Sequence, residues 1–260
     1  VYIEYEVDDR IATITLNRPD AANAQNPELL DELDAAWTRA AEDPEVAVII
    51  LRANGKHFSA GHDLKGGGPV PDKLTLEFIY THEARRYLEY SLRWRNVPKP
   101  SIAAVQGRCI SGGLLLCWPC DLIIAADDAL FSDPVVLMGI GGVEYHGHTW
   151  ELGPRKAKEI LFTGRPMTAE EVEKTGMVNR VVPRDRLDAE TRALAEQIAR
   201  MPAFGLRQAK RAVNQTLDIQ GFYAAVQAVF DIHQTGHGNA MTVGGWPVLV
   251  NLDGMKANIQ

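Results

Sequence analysis

Residues 99–113, KPSIAAVQGRCISGG, constrain the fold of this chain more than any other stretch. They read as a buried strand that ends at Gly107, turns through small residues and enters a helix near Gly112. A helix start built on glycine leaves backbone N–H groups without intrahelical acceptors, aimed at whatever lies in front of them. Such donors can hold a developing negative charge. Residues 55–64, GKHFSAGHDL, repeat the pattern, with small residues directly after an apolar strand. Two such turns brought together would make a two-donor oxyanion hole.

The surrounding pattern predicts an α/β fold. Residues 3–7 and 11–16 are β-branched and partly alternating, and Asp8-Asp9 between them signals a hairpin turn. Asn26 can cap a helix that has Pro27 in its first turn, and Leu29, Leu30, Leu33, Ala36, Trp37 and Ala40 follow at helical spacing. Residues 46–51 are continuously apolar, as a fully buried strand requires. Residues 66–71, GGGPVP, mark a turn-rich loop, and 74–94 are expected to form one helix. Residues 102–105 and 121–126 read as strands, and 129–138 as short extended pieces. The recurring strand–strand–helix order favours stacked ββα units over a doubly wound sheet. Thr168, with Glu171 at the capping-box position, and Asp188 are expected to cap further helices. Two more helices are expected over 203–217 and 221–235. The division expected is a core over residues 1–195 and a C-terminal helical region over 196–260 that packs on other subunits.

A net charge of -7 offers no basic field for a nucleic-acid partner. No apolar run reaches the ~18–20 residues of a membrane span. The first residues lack a basic-then-apolar signal pattern, so a cytoplasmic location is expected. Cys117 and Cys120 have redox-motif spacing, but they and Cys109 sit among apolar residues with few metal ligands nearby in sequence. Buried thiols acting as small hydrophobes are the expectation.

The chain resembles the crotonase (enoyl-CoA hydratase/isomerase) superfamily over essentially its whole length. The resemblance rests on residues 11–19 (IATITLNRP) with Asn23-Ala24, 58–64 (FSAGHDL), 99–107 with 111–113, Cys120-Asp121, Phe131, 161–164 (LFTG), the run from Ala169 to Gly176, and 181–183 (VVP), in order and spacing. It implies repeated ββα units, a C-terminal helical region, and homotrimers or homohexamers acting on an acyl-CoA thioester. It further implies that the thioester oxygen accepts hydrogen bonds from two backbone N–H groups, matched here by Ala60 and Gly112. The acyl-CoA contacts it implies are Asn23, Ala60, Gly61, His62, Asp63, Leu64 and Gly112. Neither a metal nor a permanently bound cofactor is implied; coenzyme A arrives as part of the substrate. Lys56 and Lys65 are candidates for its phosphates.

The family's hydratases carry two glutamates that hold and activate water. Leu115 and Val135 stand at those positions here, and neither side chain can move a proton. Glu144, in the loop after residues 139–142 (GIGG), is the best replacement base, and His62 the next candidate. His146 and His148 titrate near neutrality, while Asp133 before Pro134 reads as a turn or cap residue. Ser111 could be a nucleophile, as in a peptidase branch of the same fold, but no partner His and Asp are evident. The leading function is an acyl-CoA enzyme that stabilises a thioester enolate. The alternatives are a non-catalytic acyl-CoA-binding protein on the same scaffold, or isomerase or other enolate chemistry using Glu144. A nucleotide-dependent oxidoreductase is excluded because no G-x-G-x-x-G follows the first strand.

Overall fold

The computed structural model describes residues 1–64, 74–250 and 254; Lys65 and the 66–71 loop lie outside the described residues. Strands β1 (Ile3–Asp8) and β2 (Ile11–Leu16) form the expected hairpin, paired from Ile3↔Leu16 to Asp8↔Ile11. Its turn residues are Asp9 and Arg10, at φ 46° and 65°, one position later than the sequence suggests. Two successive left-handed residues match the twist of the flanking strands. Helix α1 (Pro27–Glu42) follows, with the Asn26 side chain accepting from the Leu29 N–H. Strand β3 (Val48–Ala53) then pairs parallel with β2.

Two strand pairs supply the centre of the fold. Strands β4 (Ser101–Val105) and β5 (Arg108–Ile110) lead into the short helix α4 (Leu114–Cys117), preceded in the chain by α2 (Leu76–Glu83) and α3 (Tyr90–Arg95). Strands β6 (Leu122–Ala126) and β7 (Leu130–Ser132) follow, then α5 (His148–Thr163), β8 (Met167–Thr168), α6 (Ala169–Glu173) and β9 (Arg180–Val182). Each pair gives one strand to a six-stranded sheet, order β1-β2-β3-β4-β6-β9, and one to a three-stranded sheet, order β5-β7-β8. That is the ββα stacking expected from the sequence.

The large sheet is covered on both faces, which explains its continuous apolar strands. Ile49, Leu51, Ala103, Val105, Ile123 and Ala125 join the core under α1. Val48, Ile50, Ile102, Ala104, Ile124 and Ala126 join a second core under α7 (Leu187–Ala199). The alternation is the period-2 placement of side chains along a strand. The three cysteines are buried and free, and burial pushes the thiols of Cys117 and Cys120 up. Among the described residues no helix is long and apolar enough to cross a membrane.

Four local expectations are corrected. The single helix expected over 74–94 is interrupted by a π-helical stretch, Ala84–Glu89, between α2 and α3. Only Leu130–Ser132 of the 129–138 segment is strand; Val135–Met138 form a 3-10 turn. Asp188 lies inside the first turn of α7, with Arg186 at the cap position and no side-chain cap bond. After α8 (Ala203–Ile219), helix α9 runs from Phe222 to Gly244, well past Thr235. Gly236 and Gly238 argue against such a helix by propensity. At Gly236, however, a Cβ would stand 2.8 Å from the Gly139 carbonyl oxygen. The bare backbone lets α9 approach the 139–142 loop, and packing overrides propensity there.

Candidate active site

The two glycine turns meet. Ser59 pairs with Cys109 in a parallel bridge, with the Ser59 N–H on the Arg108 carbonyl at 3.2 Å and the Ile110 N–H on the Ser59 carbonyl at 3.0 Å. Gly61, at φ +86°, sits so close that a Cβ would lie 2.7 Å from the Ile110 carbonyl oxygen and 3.1 Å from the Gly112 nitrogen. Ser111 is itself left-handed, at φ 46°, and turns the chain into the 3-10 turn Ser111–Gly113 ahead of α4. The Gly112 N–H, in the first turn, has no intrahelical acceptor. Gln25 donates from Nε2 to the Gly112 carbonyl at 2.7 Å and holds the turn in place.

Three of the expected ligand residues have polar groups engaged within the protein. The Ala60 N–H donates to the Ala22 carbonyl at 2.9 Å, so it is already used within the protein. Gln25 pairs with His62 through the Gln25 N–H to the Gly61 carbonyl and the Asp63 N–H to the Gln25 carbonyl, at 2.8 and 2.9 Å. In extended chain the residue between those two bonded groups turns its own N–H to the opposite side. Among the described residues the His62 N–H has no carbonyl partner, and it is the donor this turn offers. Asn23 is fully buried: its Oδ1 accepts from the Arg18 N–H, and its Nδ2 donates to the carbonyls of Asn54 and His57. Its side-chain hydrogen bonds fix the turn. The Asp63 carboxylate is held by Arg18 at 2.5 Å, and Arg18 also reaches the Ala24 carbonyl. Leu64 is exposed at the edge of the segment.

The His62 ring lies across Gly112, where a Cβ would stand 2.6 Å from Nε2. It stacks on Tyr87, from the π-helical stretch, with centroids 3.9 Å apart and planes 18° off parallel. Its Nδ1 is 3.6 Å from Oε1 of Glu144, a carboxylate 2% exposed. Nε2 of His62 and Oε2 of Glu144 are buried without a hydrogen-bond partner among the described residues. Glu144 Oε1 also lies 3.7 Å from Nε2 of His233. The structure thus brings His62 and Glu144 together, with His62 nearer the oxyanion turn.

Behind Glu144 stands a group missed in the sequence: Glu83 at the end of α2, and His233 and His237 on α9. His233 Nε2 is 3.3 Å from one Glu83 oxygen, His237 Nε2 is 3.4 Å from the other, and the two Nε2 atoms are 3.1 Å apart. Burial pushes His233 down, but the carboxylates of Glu144 and Glu83 outweigh it and raise it to about 9. Burial pushes Glu83 up, and hydrogen bonds from both imidazoles reverse this and hold it well below the usual carboxylate range. The available signal was the His-x-x-x-His spacing, which places both rings on one helix face.

On the other side of the 139–144 loop, Asp133 is neither a turn nor a cap residue. Its Oδ2 takes His148 Nε2 at 2.8 Å and the Val143 N–H at 2.9 Å. Burial raises its carboxyl, but His148, the Val143 N–H and the Ser111 hydroxyl bring it below the ordinary value. His146 packs on His148, with ring centroids 4.4 Å apart, and burial with the neighbouring His148 lowers it to about 4. Leu115 is buried in the main core, and Val135 packs against it.

A profile described as Enoyl-CoA hydratase/isomerase matches residues 6–240. The chain belongs to the enoyl-CoA hydratase/isomerase family. The crystal structure of a probable enoyl-CoA hydratase from Mycobacterium thermoresistibile shares 88% identity and superposes with a TM-score of 0.93, covering 95% of this chain and 99% of that one. An enoyl-CoA hydratase/isomerase structure from Xanthobacter autotrophicus Py2 shares 33% identity, with a TM-score of 0.85 over 100% of this chain and 96% of that one. The EchA13 protein of Mycobacterium tuberculosis, provisionally named an enoyl-CoA hydratase, is 44% identical over 264 residues, 94% of this chain and 83% of its own length. The two solved structures carry the same α/β fold with its C-terminal helical region. Members of this family act on acyl-CoA thioesters.

Proposed function

We propose that this family member performs proton-transfer chemistry next to a thioester carbonyl, through an enolate held between the backbone N–H groups of His62 and Gly112. Chemistry α or β to a thioester builds negative charge on the carbonyl oxygen, and fixed donors favour that charge without reorganisation. His62 is the proton-transfer group, because its unpartnered Nε2 lies against the Gly112 turn. Glu144 faces its Nδ1 and steadies the ring as Nε2 gives and takes a proton. The single observation that carries the reading is this buried His62–Glu144 pair set directly on the oxyanion turn.

With Leu115 and Val135 in place of carboxylates, paired-glutamate water addition is not the reading we favour; isomerisation or other enolate chemistry fits an apolar site better. Helix α8 supports assembly of identical chains. Beyond Lys210, which pairs with Asp121, and Leu217, which packs on the core, its 17 residues are little covered within one chain, and Phe204, Val213 and Ile219 stand exposed on it. A homotrimer or homohexamer would cover part of this exposed apolar surface.

The test incubates the protein with enoyl-, dienoyl- and aryl-CoA thioesters in D2O and follows both product formation and α-deuteration by NMR. Parent protein should exchange or convert at least one thioester, and His62→Ala should lose about 10²–10⁴-fold. Tight thioester binding with neither exchange nor turnover would overturn the enzymatic reading and leave the acyl-CoA-binding one. Activity unchanged in His62→Ala would remove His62 from its role.

A further inference from the structure

We propose that Glu83, His233 and His237 form a binding site for a divalent transition-metal ion of the zinc class, buried beneath Glu144. The three side chains are the group among the described residues whose donor atoms converge closely enough to share an ion. Nε2 to Nε2 is 3.1 Å, and the imidazole-to-carboxylate distances are 3.3 and 3.4 Å. Ligands about 2.0–2.1 Å from a tetrahedral zinc stand roughly 3.3–3.4 Å from one another, so the spacing needs almost no adjustment.

The surrounding hydrogen bonds prepare these atoms for a cation. Nδ1 of His233 faces the Gly142 carbonyl and Nδ1 of His237 faces the Pro247 carbonyl, both at 2.7 Å. A carbonyl only accepts, so each Nδ1 keeps a proton, and Nε2 is the atom that would give up its own proton and expose a lone pair when an ion enters. Without an ion, protons on Nε2 bridge the two rings and the Glu83 carboxylate, and a cation would take their place. Gln234 donates to the Glu83 carboxylate at 2.7 Å and fixes its orientation. Nδ1-to-carbonyl bonds on ligating imidazoles and an amide on the ligating carboxylate are the outer supports that metal sites use.

Two features of the fold bring the donors together. His233 and His237 are one helical turn apart on α9, and the bare backbone at Gly236 presses this helix on the 139–142 loop. Glu83 sits where α2 widens into the π-helical stretch, a distortion frequent at functional sites. The Glu144 carboxylate lies beside the group, 3.7 Å from His233 Nε2. Imidazole and carboxylate donors suit zinc, iron, cobalt or nickel over magnesium or calcium.

A shared proton is the competing occupant, and metal binding tells them apart. Full-length protein is stripped with chelator and titrated with Zn²⁺ by calorimetry and with Co²⁺ by visible absorption. The expected result is about one equivalent per chain and the intense bands of tetrahedral Co²⁺, with protons released on binding. Glu83→Gln, which keeps the shape of the side chain, and His237→Ala should each weaken binding by about 100-fold or more, while His146→Ala should not. Folding of each variant is checked by far-UV circular dichroism. Parent protein that takes up no ion, or binding that survives both Glu83→Gln and His237→Ala, overturns the proposal in favour of a proton-bridged cluster.

Discussion

Replacing Gly61 with alanine tests whether close approach of the two glycine turns matters for chemistry. The added Cβ would stand 2.7 Å from the Ile110 carbonyl oxygen and 3.1 Å from the Gly112 nitrogen. Both neighbours are backbone, so neither can swing aside. An ordinary contact begins near 3.4 Å, and the Ile110 carbonyl must retreat by about 0.7 Å. The left-handed backbone adds about 1–2 kcal/mol for any residue with a Cβ, and the overpacking about 1–3 kcal/mol. Gly176 isolates the first contribution: it has φ +87° and nothing within 4 Å of its would-be Cβ. Urea unfolding should therefore show a loss of about 1–2 kcal/mol in Gly176→Ala and about 2–5 kcal/mol in Gly61→Ala. The kinetic effect should separate more sharply. A displacement approaching 1 Å between reacting groups costs on the order of 10²-fold, so α-proton exchange should fall about that far in Gly61→Ala and stay within about threefold in Gly176→Ala. A folded Gly61→Ala that exchanges thioester α-protons as fast as Gly176→Ala would refute the two-donor reading.

Asp133→Asn should destabilise the protein by about 3–5 kcal/mol in urea unfolding, because it leaves His148 and the Val143 N–H facing an uncharged amide in a buried site. The Asp133 carboxyl is lowered in the folded state, so its stabilisation is full above the unfolded value of about 3.9 and is lost as pH falls through the folded one. The parent–variant difference should therefore shrink below about pH 4; a difference independent of pH would dismiss the ionised carboxylate as its source. If α8 packs on a neighbouring chain, Phe204→Asp with Ile219→Asp, two exposed residues on one side of the helix, should yield single chains by light scattering after gel filtration. Parent protein eluting as a single chain would sink the subunit-contact reading of α8.

The parts of this fold that local pattern dictates were readable in the chain. The continuous apolar runs of β3, β4 and β6 follow from a sheet covered on both faces. Asn26 and Thr168 accept the helix N–H groups that their side chains are shaped to take. The reading failed where the deciding contact is distant in sequence. Whether Ala60 or His62 offers the free N–H depends on Ala22 and Gln25, which take up the neighbouring amide and carbonyl groups. The end of α9 was misplaced because Gly236 suits close contact with a loop nearly a hundred residues earlier. Glu83, His233 and His237 lie on separate elements, and only His-x-x-x-His carried a local trace. Asp133 looked like a turn residue because its partner His148 follows after a loop that no periodicity describes.

Glu144 is where the two halves of the site touch. One oxygen lies 3.6 Å from His62 and 3.7 Å from His233, so a single carboxylate faces both the oxyanion turn and the metal-competent group. Independent halves would respond separately to mutation, whereas groups sharing a partner couple. Glu144→Gln keeps the shape but removes the charge that both imidazoles face. It should slow α-proton exchange and also weaken Zn²⁺ binding, each by about 10-fold, because an outer carboxylate typically contributes 10–100-fold to a site. His62→Ala touches only one half and should slow exchange while leaving Zn²⁺ affinity within about threefold. Calorimetry and exchange on the same two variants decide it. Equal Zn²⁺ affinities in Glu144→Gln and the parent would uncouple the halves and confine Glu144 to holding His62.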